Sequence, residues 1–484
     1  IDAGTVFDIG STSKQFTAAA LVLLANDGRL SLDDDVREYI PELPDYGSTL
    51  TIRHLLNHTS GLRDYIGLMT MAGTDIDDVT GDDEALAAIA RQRALNFAPG
   101  AEWLYSNSGY FLASLIVKRV SGKSLPEFAR VRIFEPLGMR STLFRDDYRL
   151  VIHGRASAYA PSQDGTYAID MSSWQQTGDG AVFTTVEDLL LWDRNFYEPR
   201  VGGQPLLSAL QTRGTLTNGD TLSYALGLFI DEYRGARTVS HGGSWGGYRA
   251  ELLRFPDEHF SVAVLCNLAT TNPSALAERV ADIYLAGRLS APDEGNVASL
   301  AARRPTVTLA EAQLRRWTGT YQDSASGDVR RVTLKDGALT LAAFGRDWPL
   351  TPVAETKFTA DAPVQLAFEF EPGPPARLIQ IVQGDATTFH AIETVNPGAA
   401  ELRAYTGEYY SAELAATYEI RLEGDALQLV FPGTQPPGEL RPLQRDVFHA
   451  GPMRLRFERR GGAVAGFLLD QGRARGLTFE RTAP

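Results

Sequence analysis

The chain has 484 residues, of which 44% are hydrophobic and 22% are charged, and its formal net charge is −14. A chain of this length is too long for one hydrophobic core, so two to four domains are expected. The acidic balance argues against nucleic acid or an anionic membrane as a partner, and no segment is long and apolar enough to span a bilayer. The single cysteine, Cys266, excludes an intrachain disulfide and a thiolate metal cluster. Its apolar, strand-like surroundings predict a buried and inert thiol.

The first stretch that could take part in catalysis carries a serine and a lysine three positions apart, Ser11 and Lys14. Residues 17–24 are small or apolar without Gly or Pro, which predicts a buried helix that Gly28 ends. At helical spacing Ser11 and Lys14 lie on one face, beside the positive N-terminus of the helix. A hydroxyl with an amine one turn away can form an activated nucleophile without a histidine base. The alternative is that Ser11 is only a helix N-cap.

Two histidines and an acidic run follow. Thr51 can cap a helix that Gly61 ends, and His54 and His58 on that helix have the spacing of two metal ligands. No glutamate or third ligand is nearby, so helix packing and capping are the preferred interpretation. The acidic stretch Asp75–Glu84 is expected to be a mobile or solvated loop.

A second candidate stretch, Tyr105-Ser106-Asn107, precedes an apolar helix predicted over residues 111–120. A tyrosine near an ammonium group can be stabilised as phenolate and act as a general base. Asn107 could hydrogen-bond both the lysine and a substrate. The alternative is an aromatic core residue beside a helix cap made by Ser106 or Asn107.

Further along the chain, four β-rich runs predict an antiparallel meander that a helix over residues 274–288 closes. The runs are Leu226–Ile230, Arg237–Ser240, Tyr248–Phe255 and Phe260–Asn267.

The third candidate stretch contains His241, Gly242, Gly243 and Ser244. Glycines that interrupt a strand let another backbone or a substrate approach closely. The N–H of Ser244 could then pair with that of Ser11 as oxyanion donors. The alternative is a β-bulge or hairpin turn with one exposed histidine.

From about residue 310 the sequence contains an internal repeat. Leu314–Tyr321 matches Leu402–Tyr409, and Leu334–Leu339 matches Leu422–Leu427 at the same offset of 88 positions. Two anchors at one offset predict two copies of one all-β unit, either small barrels or sandwiches. We interpret them as accessory modules, because they share no charged or histidine constellation. The expected domains are residues 1–290, a linker at 291–312, and β units at 313–398 and 399–484.

The three motifs in the order SxxK, YxN and HGG resemble those of the serine β-lactamase and penicillin-binding-protein superfamily. The similarity covers about residues 1–285 and favours the branch of class C β-lactamases, D-aminopeptidases and family VIII carboxylesterases. Flanking signatures that carry it are Phe7–Ser11, Ile52–Leu56, His58–Leu62, Pro99-Gly100, Pro136–Met139 and Gly178–Gly180. The resemblance implies an α/β domain with an antiparallel sheet, an all-α lobe and a site between them. The D-aminopeptidases of this superfamily are similar also in carrying two small C-terminal β-barrels. Relatives have strands before the SxxK segment, so N-terminal strands are expected to be missing from this chain.

The resemblance also implies roles. Ser11 would be the acylated nucleophile, Lys14 the proton shuttle and Tyr105 the base. Whether Lys14 or Tyr105 takes the first proton stays open. Asn107, His241, Gly242, Gly243 and Ser244 would bind substrate or its oxyanion, with the N–H of Ser11 as second donor. His241 occupies the place of a lysine that grips a substrate carboxylate in β-lactamases. A histidine is only partly charged near neutral pH, which favours peptidase, amidase or esterase action over β-lactamase action. Neither a cofactor nor a metal is expected.

The sequence therefore predicts a serine hydrolase that forms an acyl-enzyme with peptides, amides or esters, most like a D-aminopeptidase or D-amino-acid amidase. A family VIII-type carboxylesterase or a weak β-lactamase is the alternative within the superfamily. A non-catalytic penicillin-recognising sensor, and a carbohydrate- or partner-binding protein based on residues 310–484, are alternatives of other classes. The expected partner is a small molecule or short peptide, with self-association into a homo-oligomer left open. One cysteine is compatible with cytoplasm or periplasm, so localisation also stays open.

Overall fold

The structure is a computed structural model that describes residues 1–162, 164–291, 307–324, 326–343, 346–360, 366–382, 385–433 and 436–482. The chain divides into two compact units, Ile1–Ser290 and Ala291–Pro484. Most of the predicted linker, residues 292–306, lies outside the described residues. The exact domain boundaries given above stay predictions. Among the described residues, no helix combines the length and the hydropathy needed to cross a bilayer.

Helices make up much of the first unit. They are α1 Lys14–Asn26, α2 Ile52–Leu56, α3 Tyr65–Met71, α4 Asp82–Ala90, α5 Asn107–Ser121, α6 Leu125–Ala129, α7 Glu135–Leu137, α8 Val186–Arg194, α9 Gly203–Gln211 and α10 Pro273–Tyr284. The predicted first helix is confirmed, since α1 is buried from Lys14 to Leu24. Thr51 caps α2 as predicted, by accepting the His54 N–H, but α2 ends at Leu56 rather than at Gly61.

Two antiparallel sheets complete the core of this unit. The larger is β6 Phe229–Tyr233, β7 Ala236–Trp245, β8 Tyr248–Phe255 and β9 Phe260–Cys266, and the smaller has the order β1 Phe7–Asp8, β5 Val182–Thr184, β2 Leu143–Phe144. A separate hairpin joins β3 Tyr159–Pro161 to β4 Tyr167–Ile169. The predicted meander is confirmed, and its second strand runs on through the glycines to Trp245. Helix α10 packs on this sheet through Ala277 and Ala281.

One local prediction in this unit is wrong, and another is wrong in part. Cys266 lies at the end of β9 and is half-buried rather than buried. The acidic stretch is solvent-exposed as predicted at most of its carboxylates, but its last residues begin helix α4 rather than a loop. Main-chain atoms of a neighbouring segment also bond to it: Ser173 N–H donates to the Ile76 carbonyl at 3.1 Å and Gln175 N–H to the Thr80 carbonyl at 3.0 Å. The indole Nε1 of Trp174 adds a bond to the Asp75 carbonyl at 2.8 Å.

The second unit contains two closed antiparallel barrels, so the sandwich alternative is wrong. The first is β10 Gly319–Gln322, β11 Val329–Lys335, β12 Ala338–Ala343, β13 Arg346–Pro352, β14 Lys357–Ala360, β15 Leu366–Glu371, β16 Arg377–Val382 and β17 Asp385–Ile392. The second is β18 Gly407–Ser411, β19 Ala416–Glu423, β20 Ala426–Val430, β21 Gly438–Gln444, β22 Val447–Ala450, β23 Met453–Arg460, β24 Ala463–Gln471 and β25 Ala474–Arg481. Short helices, Glu311–Arg315 and Ala399–Leu402, precede them.

The sequence repeat has a structural counterpart in each barrel. The hydroxyl of Tyr321 donates to the Trp317 carbonyl at 2.9 Å, and that of Tyr409 donates to the Tyr405 carbonyl at 2.7 Å. A tyrosine four residues after an aromatic residue thus fixes the entry of the first strand of each barrel. Because each barrel is closed, its first strand pairs with its last among the described residues, and neither is left as an open edge.

Candidate active site

Ser11 lies in a one-turn 3-10 helix, Gly10–Ser13, that leads directly into α1. Its side chain is not a helix cap, because the N-cap positions of the turn and of α1 are Ile9 and Ser13 and neither has a capping side-chain bond. The carboxylate of Asp8 holds the turn by accepting the Gly10 N–H at 2.8 Å. Ser11 itself is half-buried, so its hydroxyl is accessible to a small substrate.

Lys14 begins α1 and is completely buried. Its Nζ donates to Ser11 Oγ at 3.0 Å, to Asn107 Oδ1 at 2.9 Å and to the Asp179 carbonyl at 2.5 Å. These acceptors hold the ammonium against the serine oxygen. The predicted contact between Ser11 and Lys14 is therefore present.

Tyr105 and Asn107 reach Lys14 from the segment that enters α5. The Lys14 Nζ lies 4.9 Å from the centroid of the Tyr105 ring. The imidazole of His58 also packs against the Tyr105 ring, with 4.1 Å between the ring centroids. Ser106 occupies the N-cap position of α5 but makes no capping bond through its side chain. Tyr105 and Asn107 thus both lie beside Lys14. The alternative that a side chain of this motif caps α5 is wrong.

Strand β7 closes the site from the opposite side. A Cβ on Gly243 would lie 1.9 Å from the Ile9 carbonyl oxygen, and a Cβ on Gly10 would lie 2.6 Å from the Ser244 nitrogen. Glycine at both positions therefore lets the Ser11 turn lie directly against β7. The register with β8 runs without a shift from Val239 to Trp245, so the bulge alternative is wrong. Pairing of the Ser11 and Ser244 N–H groups on one oxyanion stays a prediction.

His241 is buried and turned inward, not exposed. Its Nε2 is 3.0 Å from the Tyr224 hydroxyl and its Nδ1 is 2.6 Å from the Gly242 carbonyl. Burial, together with the nearby Lys14 ammonium, lowers the pKa of His241 to about 3. The imidazole is therefore neutral at physiological pH, which corrects the expectation of partial charge. Its neighbour Gly242 faces the other way, since a Cβ there would lie 3.0 Å from Glu251 Oε2.

Sequence reasoning missed two acidic residues beside this constellation. Asp179 accepts the Lys14 bond through its carbonyl and the Tyr65 hydroxyl through Oδ2, at 3.1 Å. Burial raises the pKa of the Asp179 carboxyl, and the Lys14 ammonium opposes that rise. Asp64 contacts Asn107. The only sequence signals were the Gly178-Asp179-Gly180 signature and the position of Asp64 one residue before a helix.

The two histidines of α2 and of the turn that follows it both accept hydrogen bonds from main-chain N–H groups. His54 Nδ1 accepts the Thr51 N–H at 3.2 Å, and His58 Nδ1 accepts the Ser106 N–H at 3.2 Å. In the described part of the chain, no cluster of three or more His, Cys, Asp or Glu residues could hold a metal ion.

A serine whose oxygen bonds to a buried lysine, with a tyrosine and an asparagine at the same ammonium, is the site of a serine hydrolase. Residues 1–286 match the family described as Beta-lactamase, and the chain belongs to that family.

Several characterised proteins are similar to it. A D-aminopeptidase of Gluconobacter oxydans is 28% identical over 99% of this chain and 89% of its own length. Penicillin-binding protein 4* of Bacillus subtilis is 28% identical over 81% of this chain and 88% of its own. The structure of an octameric penicillin-binding protein homologue from Pyrococcus abyssi is 25% identical, with a TM-score of 0.57, and covers 80% of this chain and 89% of that one.

Proposed function

We propose that the protein removes amino-terminal D-residues from short peptides, or hydrolyses D-amino-acid amides, through an acyl-enzyme on Ser11. The observation that carries the proposal is the buried contact of Lys14 with Ser11 Oγ and Asn107 Oδ1. It occurs in a chain that is similar along almost its whole length to proteins named D-aminopeptidase.

In the proposed reaction, Ser11 Oγ attacks the substrate carbonyl and its proton passes to the Lys14–Tyr105 pair. The oxyanion that forms accepts the N–H groups of Ser11 and Ser244. The same pair returns the proton to the leaving amine or alcohol. In deacylation it takes a proton from the water that attacks the acyl carbonyl and gives it to Ser11 Oγ as the ester bond breaks. Asn107 orients Lys14 and the substrate.

The neutral state of His241 supports the choice of substrate. A lysine at this position would offer a permanent positive charge to a carboxylate, whereas His241 is buried, bonded to Tyr224 and uncharged. A penicillin or a peptide C-terminus therefore lacks that anchor. Amides, anilides and esters of a D-amino acid do not need it.

The test is a side-by-side screen of the purified chain with D- and L-alanyl p-nitroanilide, p-nitrophenyl acetate and nitrocefin. We expect the D-alanyl anilide to be turned over at least 10-fold faster than the L-enantiomer, with no turnover by Ser11→Ala. Ester hydrolysis without anilide hydrolysis would instead indicate a carboxylesterase, and preferred turnover of nitrocefin a β-lactamase. Failure on every substrate, with no covalent labelling of Ser11, would leave a penicillin-recognising sensor.

We further infer that the chain self-associates, on the basis of the octameric state of the Pyrococcus abyssi homologue. Light scattering coupled to size exclusion measures the mass in solution. A mass of several chains is expected, and the mass of one chain at all concentrations would contradict the inference.

A further inference from the structure

Asp64 connects the start of one helix to the start of another. It is buried and is the N-cap residue of α3, where its Oδ1 accepts the Gly67 N–H at 3.2 Å. Its Oδ2 accepts two donors from Asn107, the main-chain N–H at 2.7 Å and the side-chain Nδ2 at 2.9 Å. One carboxylate therefore accepts a main-chain N–H from the first turn of both α3 and α5.

These contacts determine which way the Asn107 amide points. A carboxylate has acceptors only, so the NH2 end of the amide must face Asp64. The oxygen end then faces Lys14, and its Oδ1 lies 2.9 Å from Nζ. The reverse orientation would direct an NH2 group at an ammonium and an oxygen at a carboxylate, which is unfavourable at both ends.

The same contacts link two buried groups of opposite charge. Asp64 and Lys14 are at most 4% exposed, and a single amide joins them. The charged or titratable groups that face Lys14 include Asp179, Tyr105, Tyr110 and His241. Those near Asp64 include Tyr65 and Asp179, and Arg63 precedes it in sequence. Burial, opposed by Lys14, raises the pKa of Asp179, and the Asp64 charge raises it further. Asp64 is thus an electrostatic neighbour of the reacting groups.

We propose that Asp64 is a positioning residue for the reaction at Ser11: it orients the Asn107 amide toward Lys14 and, through that amide, stabilises the Lys14 ammonium. This inference rests on the proposed function for its kinetic consequence, whereas its structural consequence can be tested without turnover. It assigns Asp64 no contact with substrate.

The test uses Asp64→Asn in the full chain. An asparagine has one acceptor oxygen in place of two, so it can fill only one of two positions: that of Oδ1, which accepts from Gly67, or that of Oδ2, which accepts from Asn107. We expect the rate of Ser11 labelling by a fluorophosphonate to fall about 10- to 100-fold, the cost of a lost hydrogen bond to a charged group. The limb of the pH–rate profile that follows proton loss from Lys14 should move to lower pH, because the ammonium has lost a neighbouring negative charge. Asp35→Asn is the control, since Asp35 also caps a helical turn, by accepting the Arg37 N–H.

A double-mutant cycle separates positioning from stability. If Asp64 acts through Asn107, Asp64→Asn should change the labelling rate less than 3-fold in an Asn107→Ala background. Additive losses, or an unchanged pH profile in the single variant, would overturn the proposal. Asp64→Glu keeps the charge and should retain the wild-type pH limb. This variant tests the proposal if Asp64→Asn does not fold.

A structural measurement distinguishes this inference from the proposed function. Crystal structures of the wild type and of Asp64→Asn show whether Asn107 Oδ1 keeps its contact with Lys14 Nζ. Loss of that contact only in the variant supports the positioning role, whether or not the wild type is labelled. Absence of labelling in the wild type would refute only the proposed function. An unmoved Asn107 in the variant, with unchanged labelling kinetics, refutes the positioning role alone.

Discussion

The Nζ of Lys14 donates a hydrogen bond to the Oγ of Ser11 at 3.0 Å, across the junction where a 3-10 turn becomes helix α1. Lys14 is fully buried whereas Ser11 is half-buried, so the reactive oxygen faces the substrate and its partner does not face water. Charge-assisted hydrogen bonds of this kind strengthen as the surroundings lose water. The chemistry proposed for the protein depends on this pair.

Removing the ammonium should abolish acylation. Lys14→Met keeps the length and apolar stem of the side chain but leaves Ser11 Oγ and Asn107 Oδ1 without their donor. We expect the fluorophosphonate labelling rate to fall by about 10³-fold or more, as for loss of a group that activates a nucleophile. Lys118→Met, which removes an exposed lysine of α5, is the control and should label at the wild-type rate. Equal labelling of both variants would show that Lys14 is dispensable.

Removing only the Tyr105 hydroxyl should separate base catalysis from packing. The ring packs against His58 and lies over the Lys14 ammonium, and Tyr105→Phe preserves both contacts. A general base contributes about 10²- to 10⁴-fold, so kcat/KM for the preferred substrate should fall by that factor with little change in thermal midpoint. Tyr167→Phe, on an exposed strand, is the matched control. A kcat/KM within 3-fold of wild type would exclude Tyr105 as the base.

The pH dependence of the reaction should carry no contribution from His241. The pKa of this imidazole is lowered to about 3, first by burial and then by Lys14, so it stays neutral from pH 5 to 9. Whatever its effect on the rate, His241→Gln should not move the apparent pKa values of the kcat/KM profile in that range. A limb between pH 6 and 7 that disappears in the variant would contradict the neutral assignment.

Gly243 should be far less tolerant of a methyl group than a glycine with open surroundings. In Gly243→Ala the new Cβ would meet the Ile9 carbonyl at 1.9 Å, so β7 must move away from the Ser11 turn. We expect a loss of about 2 kcal/mol or more in the free energy of unfolding, and a parallel loss of labelling. In Gly67→Ala, within α3, nothing lies within 4 Å, and a gain of about 0.5–1 kcal/mol is expected. Equal melting curves for the two variants would contradict the close approach.

The buried Glu251 should make the first unit less stable as pH rises. Burial raises the pKa of its carboxyl to about 7, and the bond from Ser274 opposes this only in part. The ordinary pKa of this carboxyl is 4.5, and its pKa is higher in the folded state. Below pH 4.5 its contribution to the free energy of unfolding is therefore fully present. Its contribution is then lost as pH rises through about 7. Glu251→Gln should therefore remove a decline on the order of 1–3 kcal/mol between pH 5 and 8, measured by denaturant unfolding. Parallel pH curves for wild type and variant would contradict this.

Local patterns predicted the parts of the molecule that local forces determine. The apolar run after Ser11 predicted α1, because a continuous buried helix needs only its own residues and a core. Thr51 was expected to cap a helix, and it accepts the His54 N–H at the start of α2. The repeat predicted two similar β units but left barrels and sandwiches open, and only the structure shows that each unit closes into a barrel.

Contacts between distant segments were beyond such patterns. Lys14 reaches Asp179 across 165 positions of sequence, and no periodicity links the two. Asp64 has the pattern of an ordinary helix cap, and its second role appears only once α5 packs beside α3. The neutral state of His241 depends on burial beside an ammonium, which the motif itself does not encode.

Peptide mass spectrometry after reaction with a fluorophosphonate tests the central claim most directly. We predict one adduct per chain, located on Ser11, formed more slowly in the presence of D-alanyl p-nitroanilide and absent in Ser11→Ala. An adduct on another residue, or labelling of Ser11→Ala at the wild-type rate, would contradict the assignment of Ser11 as the nucleophile.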